Sequence, residues 1–101
     1  MNAVEVLQQA RGLIAKGWVQ GVSAVDAEGN PVHSSKGCAF CAVGALLAVP
    51  CDFGPSLEAE DRLKRVLPKP FTSLVGFNDT KGRTQDEVLA LFDLAINGGV
   101  Q

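Results

Sequence analysis

All three cysteines and the only histidine of this 101-residue chain lie in one stretch, HSSKGCAFCAVGALLAVPC, from His33 to Cys51. Thiolate and imidazole ligands suit tetrahedral zinc, and C-x-x-C is a common half-site, so His33, Cys38, Cys41 and Cys51 form a candidate zinc set. Cys38 with His33 as its base is a candidate nucleophile, since a helix start favours the thiolate. A plainer reading competes with both. The uncharged run from Cys38 to Val49 has no polar stripe, the pattern of a helix surrounded by protein, in which cysteine is a small buried hydrophobe. If Cys38 and Cys41 open that helix, Cys51 lies about 10 residues further on, or about 15 Å at the helical rise. The four side chains then cannot share one ion, and the expectation is buried cysteines with no metal. The thioredoxin-like reading of CAFC fails as well, because no βαβ pattern surrounds it.

A second set is polar. In FNDTKGRT, Asn78 and Asp79 can bond local backbone, Gly82 can take positive φ, and Thr84 can cap the helix that follows. Arg83, just before that helix, is suited to pair with Asp79 or to bind an anion or carboxylate. The structural turn is the preferred reading. A ligand-binding or enzymatic pocket built from Asp26, Asn78, Asp79 and Arg83 is the alternative. Trp18, at the start of a strand-forming stretch, reads as a core cap, with an interaction anchor as its second role. Neither G-x-G-x-x-G nor G-x-x-x-x-G-K-[ST] occurs, so nucleotide fingerprints are lacking.

The elements that must hold these residues follow from periodicity. Val4, Leu7, Ala10, Leu13 and Ile14 recur at helical spacing, which predicts an amphipathic helix over 4–16 ended by Gly17. WVQGVSAVDAEGNPV alternates strand formers around the turn residues DAEGNP and predicts a short hairpin, with a bulge at Gly21. Cys38 to about Val49 is the expected central helix, with Gly44 and its alanines admitting close neighbours and Pro50 ending it. A helix from about Ser56 to Leu67 should bury Ala59, Leu63, Val66 and Leu67 and pair Glu58/Arg62, Glu60/Lys64 and Asp61/Arg65 on a solvated face. The stretch from Pro68 to Arg83 reads as an irregular connection. Thr84 and Glu87 form a capping box for the last helix, which buries Val88, Leu89, Phe92, Ala95 and Ile96 and stops at Asn97, Gly98 and Gly99.

Composition excludes several classes. Apolar residues make up 47% and charged residues 20%, which is globular rather than disordered. A net charge of −2 from interspersed charges offers no footprint for nucleic acid. The longest apolar run is about 12 residues against the roughly 20 that a bilayer needs, so no membrane span is expected. No basic n-region precedes an apolar h-region, and the cysteine count is odd, so reduced thiols in a cytoplasmic setting are expected.

Taken together, GWVQGVSAVDAEGNPV, CAFCAVGALLAV and FNDTKGRTQDEVLALFDLAI resemble a family of small uncharacterised bacterial and phage proteins. The shared pattern is a tryptophan before QG, D-x-x-G-x-x-V, C-A-x-G-A-L and ND-x-x-GRT-x-x-EVL-x-x-FD-x-AI. It covers roughly residues 4–97, through Trp18, Gln20, Gly21, Asp26, Gly29, Val32, Cys41, Gly44, Ala45, Leu46, Asn78, Asp79, Gly82, Arg83, Thr84, Glu87, Phe92 and Asp93. The resemblance implies one compact domain of bacterial or phage source and no activity. It includes Cys41 but no counterpart of His33, Cys38 or Cys51, which weakens a site needing all four.

The expectation is therefore a single α+β domain over 1–101, mainly α, with about four helices around an apolar central helix and one short β-hairpin. Its expected role is that of a small non-enzymatic protein-interaction module, a phage or mobile-element accessory that modulates a host factor. No cofactor is expected, and the chain would be a monomer or homodimer.

Overall fold

The computed structural model describes residues 1–98, so the expected stop at Gly99 lies outside the described residues. The fold is α+β and mainly α, with five α-helices, one 3-10 turn and a two-stranded antiparallel sheet among the described residues. The first helix, α1 (Ala3–Lys16), carries a capping box of its own, Asn2 with Glu5, which the sequence reading passed over. Its buried face is Val6, Leu7, Ala10 and Ile14.

The chain leaves α1 at Gly17 in extended backbone, where a side chain would meet the Cys38 carbonyl at 2.6 Å. Strand β1 (Ala24–Val25) then pairs antiparallel with β2 (Ala39–Phe40), in the register Ala24 to Phe40 and Val25 to Ala39. The DAEGNP turn does fold back, with Asp26 N–H donating to the Asn30 carbonyl and a lone bridge from Val25 to Pro31. The strand that completes the sheet nevertheless comes from residues expected to be helical. Cys38 N–H donates to the Val25 carbonyl at 2.7 Å and Phe40 N–H to that of Gly17 at 3.0 Å, so this segment is held extended from both sides.

In consequence α2 is short, Ala42–Ala48, and begins at a cap formed by Cys41. The helix at the centre of the packing is α1, which lies against α2, α3 (Phe53–Arg65) and α5 (Gln85–Ile96), while α3 also packs on α5. The expected irregular connection contains α4 (Leu74–Asn78), capped by Ser73 onto Gly76 N–H. The apolar side chains of α1, α2, α4 and α5 meet those of Ala59 and Leu63 in one core. Among the described residues no helix is long and apolar enough to cross a membrane.

Polar ties clamp the ends of the helices. Gln85, at the start of α5, donates to the Ile14 carbonyl near the end of α1 at 2.7 Å. Arg11 and Asp93 join α1 to α5 through two hydrogen bonds of 2.6 and 3.1 Å, and this bond raises the Arg11 pKa further. Of the three charge pairs expected along α3 only Glu60 and Lys64 meet, at 3.4 Å. Arg62 does not pair with Glu58 but donates to the Ala95 and Ile96 carbonyls at the end of α5. Charge-assisted bonds to such carbonyls favour the helix end. Arg62→Met, which keeps the stem, is expected to lower stability by about 1–2 kcal/mol in urea unfolding.

The expected capping box of α5 is present: Thr84 Oγ1 accepts from Glu87 N–H and Thr84 N–H donates to the Glu87 carboxylate at 2.9 Å. That backbone bond, helped by Arg83, holds the Glu87 carboxyl below its ordinary range. A carboxyl depressed in the folded state stabilises above its unfolded pKa and loses that contribution as pH falls through the folded value. Glu87→Gln should therefore flatten the fall of the denaturation midpoint below about pH 4.5. An unchanged acid slope would remove Glu87 from the cause.

Candidate functional site

Asn78, the last residue of α4, is fully buried and is the largest polar side chain in the interior. Its amide uses all of its bonding capacity on protein. The oxygen accepts from the Trp18 indole N–H at 2.8 Å and from Ala42 N–H, at the start of α2, at 3.0 Å. The nitrogen donates to the Val19 carbonyl at 3.1 Å and to the Asp79 carboxylate at 2.9 Å. Around it, the same Asp79 oxygen accepts from Gly21 N–H, and the Gln20 amide donates to the carbonyls of Asn78 and Thr80. The segment Trp18–Gly21 is thus fastened to α4 and the start of α2.

Arg83 is close in sequence but otherwise engaged. It does not pair with Asp79, as the sequence reading proposed. Its Nε donates to the Phe77 carbonyl at 2.8 Å, its guanidinium lies 3.7 Å from the Phe77 ring centroid and 5.3 Å from that of Phe71, and Glu87 lies 3.6 Å away. Asp26 stays within its own turn, accepting from Glu28 N–H and Asn30 N–H. Of the four candidate ligand residues the structure joins Asn78 and Asp79 directly, sets Arg83 beyond Phe77 and leaves Asp26 in the β1 turn. A cleft of about 120 Å³ beside Asp79, lined also by Gly21, Val22, Ser23, Cys41 and Val75, is smaller than the roughly 300 Å³ at which small-molecule pockets begin.

The cysteines and histidine are dispersed in environment. Cys41 is buried, its sulfur accepting from Gly44 N–H at 3.3 Å, whereas Cys38 is exposed beside β2 and Cys51 is half-buried after α2. The expectation that Cys38 lies in a buried helix is corrected by the pairing of β2, which draws this segment out of the helix. His33 caps the 3-10 turn, its Nδ1 bonded to Ser35 Oγ and accepting from Ser35 N–H. Among the described residues no three His, Cys, Asp or Glu side chains gather to hold a metal ion. Trp18 packs partly buried against the core, its indole N–H bound to Asn78.

Several large apolar side chains reach solvent. Phe53 is 76% exposed, Leu47 64%, Val75 48% and Leu57 44%. Phe53, Leu57, Glu60 and Lys64 fall at i, i+4, i+7 and i+11 and form one stripe along α3. Val43, at the start of α2, shares a shallow cleft with Glu60, Lys64 and Val75, so the start of α2 lies by the second half of α3. Leu47 lies one turn further along α2, which packs on both α3 and α4. Exposed apolar side chains thus stand on three neighbouring helices, with the Glu60–Lys64 ion pair on the α3 stripe. The sequence did carry a signal for it: Leu57 lies off the Ala59 and Leu63 face. Phe53 was missed because the helix was expected to begin at Ser56.

No curated protein and no solved structure matches this chain. The model of a family of unknown function, DUF6197, matches residues 1–98, so the resemblance extends over the whole described fold and the chain belongs to that family.

Proposed function

We propose that the chain is a protein-interaction module without chemistry of its own, working through the face of α2, α3 and α4. The observation that carries this reading is the exposure of Leu47, Phe53, Leu57 and Val75 on α2, α3 and α4, of which α2 packs on both of the others. An exposed apolar patch rimmed by charge is the usual mark of protein contact. The polar set that a ligand-binding or enzymatic reading needs is spent inside the fold: Asn78 has no bonding capacity left, and Asp26 serves its own turn. The proposed setting is the bacterial cytoplasm, with the chain carried by a phage or mobile element and acting on a host factor.

A photo-crosslinking residue at position 57 tests this, with one at exposed Gln8 on α1 as its control. A protein adduct at 57 and none at 8 is the expected outcome. Equal labelling at both, or none at either, would overturn the reading.

A further inference from the structure

We infer that the cleft between α1 and the end of α2 binds a small aliphatic carboxylate, with Lys16 taking the charged head and the apolar walls taking the tail. This goes beyond the protein-contact reading and uses none of the residues of the proposed contact face, so either can fail alone. The cleft measures about 260 Å³, more than twice the one beside Asp79. It stands just under the roughly 300 Å³ from which pockets for drug-sized ligands run, so a slender ligand suits it.

Its form follows from helical spacing. Gln9, Leu13 and Lys16 fall at i, i+4 and i+7 with Gly12 beside them, which lines all four along one side of α1. Gln9 and Lys16 are then about 10 Å apart at the helical rise, one towards each end. Ala48, Val49 and Pro50, where α2 stops, form the other wall.

Two independent observations point to an occupant and to its chemistry. Gly12 lies inside α1, where glycine costs stability that alanine would restore. No packing demands it, since a Cβ there would meet nothing within 4 Å. What the missing side chain supplies is depth in the cleft and close approach to the backbone. Lys16, in the last turn of α1, is exposed, and among the described residues no acidic side chain pairs with it. Its position suits the helix dipole, but the dipole gives no reason for the glycine. One ammonium group matches a single carboxylate better than a phosphate, which carries up to about two charges and three acceptor oxygens. A chain of about eight carbons suits a slot of this length and volume.

Octanoate titrated to about 10 mM into the isotope-labelled chain, followed by amide chemical shifts, is the test. The expected result is saturable shifts at Gly12, Leu13, Lys16 and Ala48, with a dissociation constant on the order of 0.1–1 mM for a ligand of about ten non-hydrogen atoms. Octylammonium, with the same tail and the opposite charge, should bind at least about tenfold more weakly. Gly12→Leu fills the slot with a good helix former at an uncrowded position, so it should abolish binding without lowering the unfolding temperature. Lys16→Met keeps an apolar stem, and should weaken octanoate at least about fivefold and bring the two ligands level. Absence of saturable shifts at these residues by about 10 mM, octanoate binding that survives Gly12→Leu, or octylammonium binding as tightly as octanoate would each overturn the inference.

Discussion

Replacing Asn78 by alanine is expected to lower stability by about 3–5 kcal/mol, a large share of the roughly 5–15 kcal/mol typical of such a domain. The substitution strands the Trp18 indole N–H, the Ala42 N–H and the Val19 carbonyl, each left unpaired at a cost of about 1–3 kcal/mol where water is excluded. The Asp79 carboxylate loses less, since it is exposed and still accepts from Gly21 N–H. Asn78→Leu distinguishes lost bonds from lost volume: it refills the space but supplies neither donor nor acceptor. It should be nearly as damaging as alanine. Urea unfolding followed by the fluorescence of Trp18, the only tryptophan, measures both variants. Recovery by leucine to within about 1 kcal/mol of the parent would show that Asn78 acts as filler and not as a fastening. Because Asn78 ties α4 to the start of α2, its loss should also loosen the edge of the proposed contact face that carries Val75.

Gly44→Ala is the second large effect. In α2 any Cβ at this position runs into the Ser23 carbonyl, with the carbonyl carbon only 2.7 Å away. Ser23 cannot turn aside freely, because its oxygen accepts from Cys41 N–H at 3.0 Å at the helix cap. Alanine is the better helix former by about 1 kcal/mol, so propensity alone predicts a gain. The clash should prevail and give a net loss of about 2–3 kcal/mol by displacing backbone. Gly12→Ala provides the opposing control. Its site in α1 has nothing within 4 Å, and there the propensity gain of roughly 0.8–1 kcal/mol should appear in full. If both substitutions stabilised, the approach of Ser23 to α2 would be looser than the structure places it.

Much of this architecture was legible because it is local. The Thr84 and Glu87 capping box, the Asp26 turn, the positive φ of Gly82 and the apolar faces of α1 and α5 depend on residues within one or two turns of each other. Their physics is complete within a short window, so a single chain displays it. Even here selection among equals failed: Val6 and Leu91 are buried where Val4 and Leu89 were expected, since a helix face fixes a direction but its neighbours fix its centre.

The sequence by itself thus determined an α+β, mainly helical domain, the bounds of α1 and α5 and the capping of α5. It also suggested that Asn78 and Asp79 serve a turn. Only the tertiary structure decided which partners those groups meet. Ala39 and Phe40 have the composition of a helix, yet they are extended because β1 and Gly17 offer them backbone bonds from distant parts of the chain. Asn78 bonds to residues some sixty positions earlier, Arg62 caps a helix thirty-three positions later, and Phe53 is exposed because no other element covers its side of α3. The physical reason is common to all three. A side chain's type fixes what it can bond or bury, whereas the packing of distant elements fixes which groups arrive within reach.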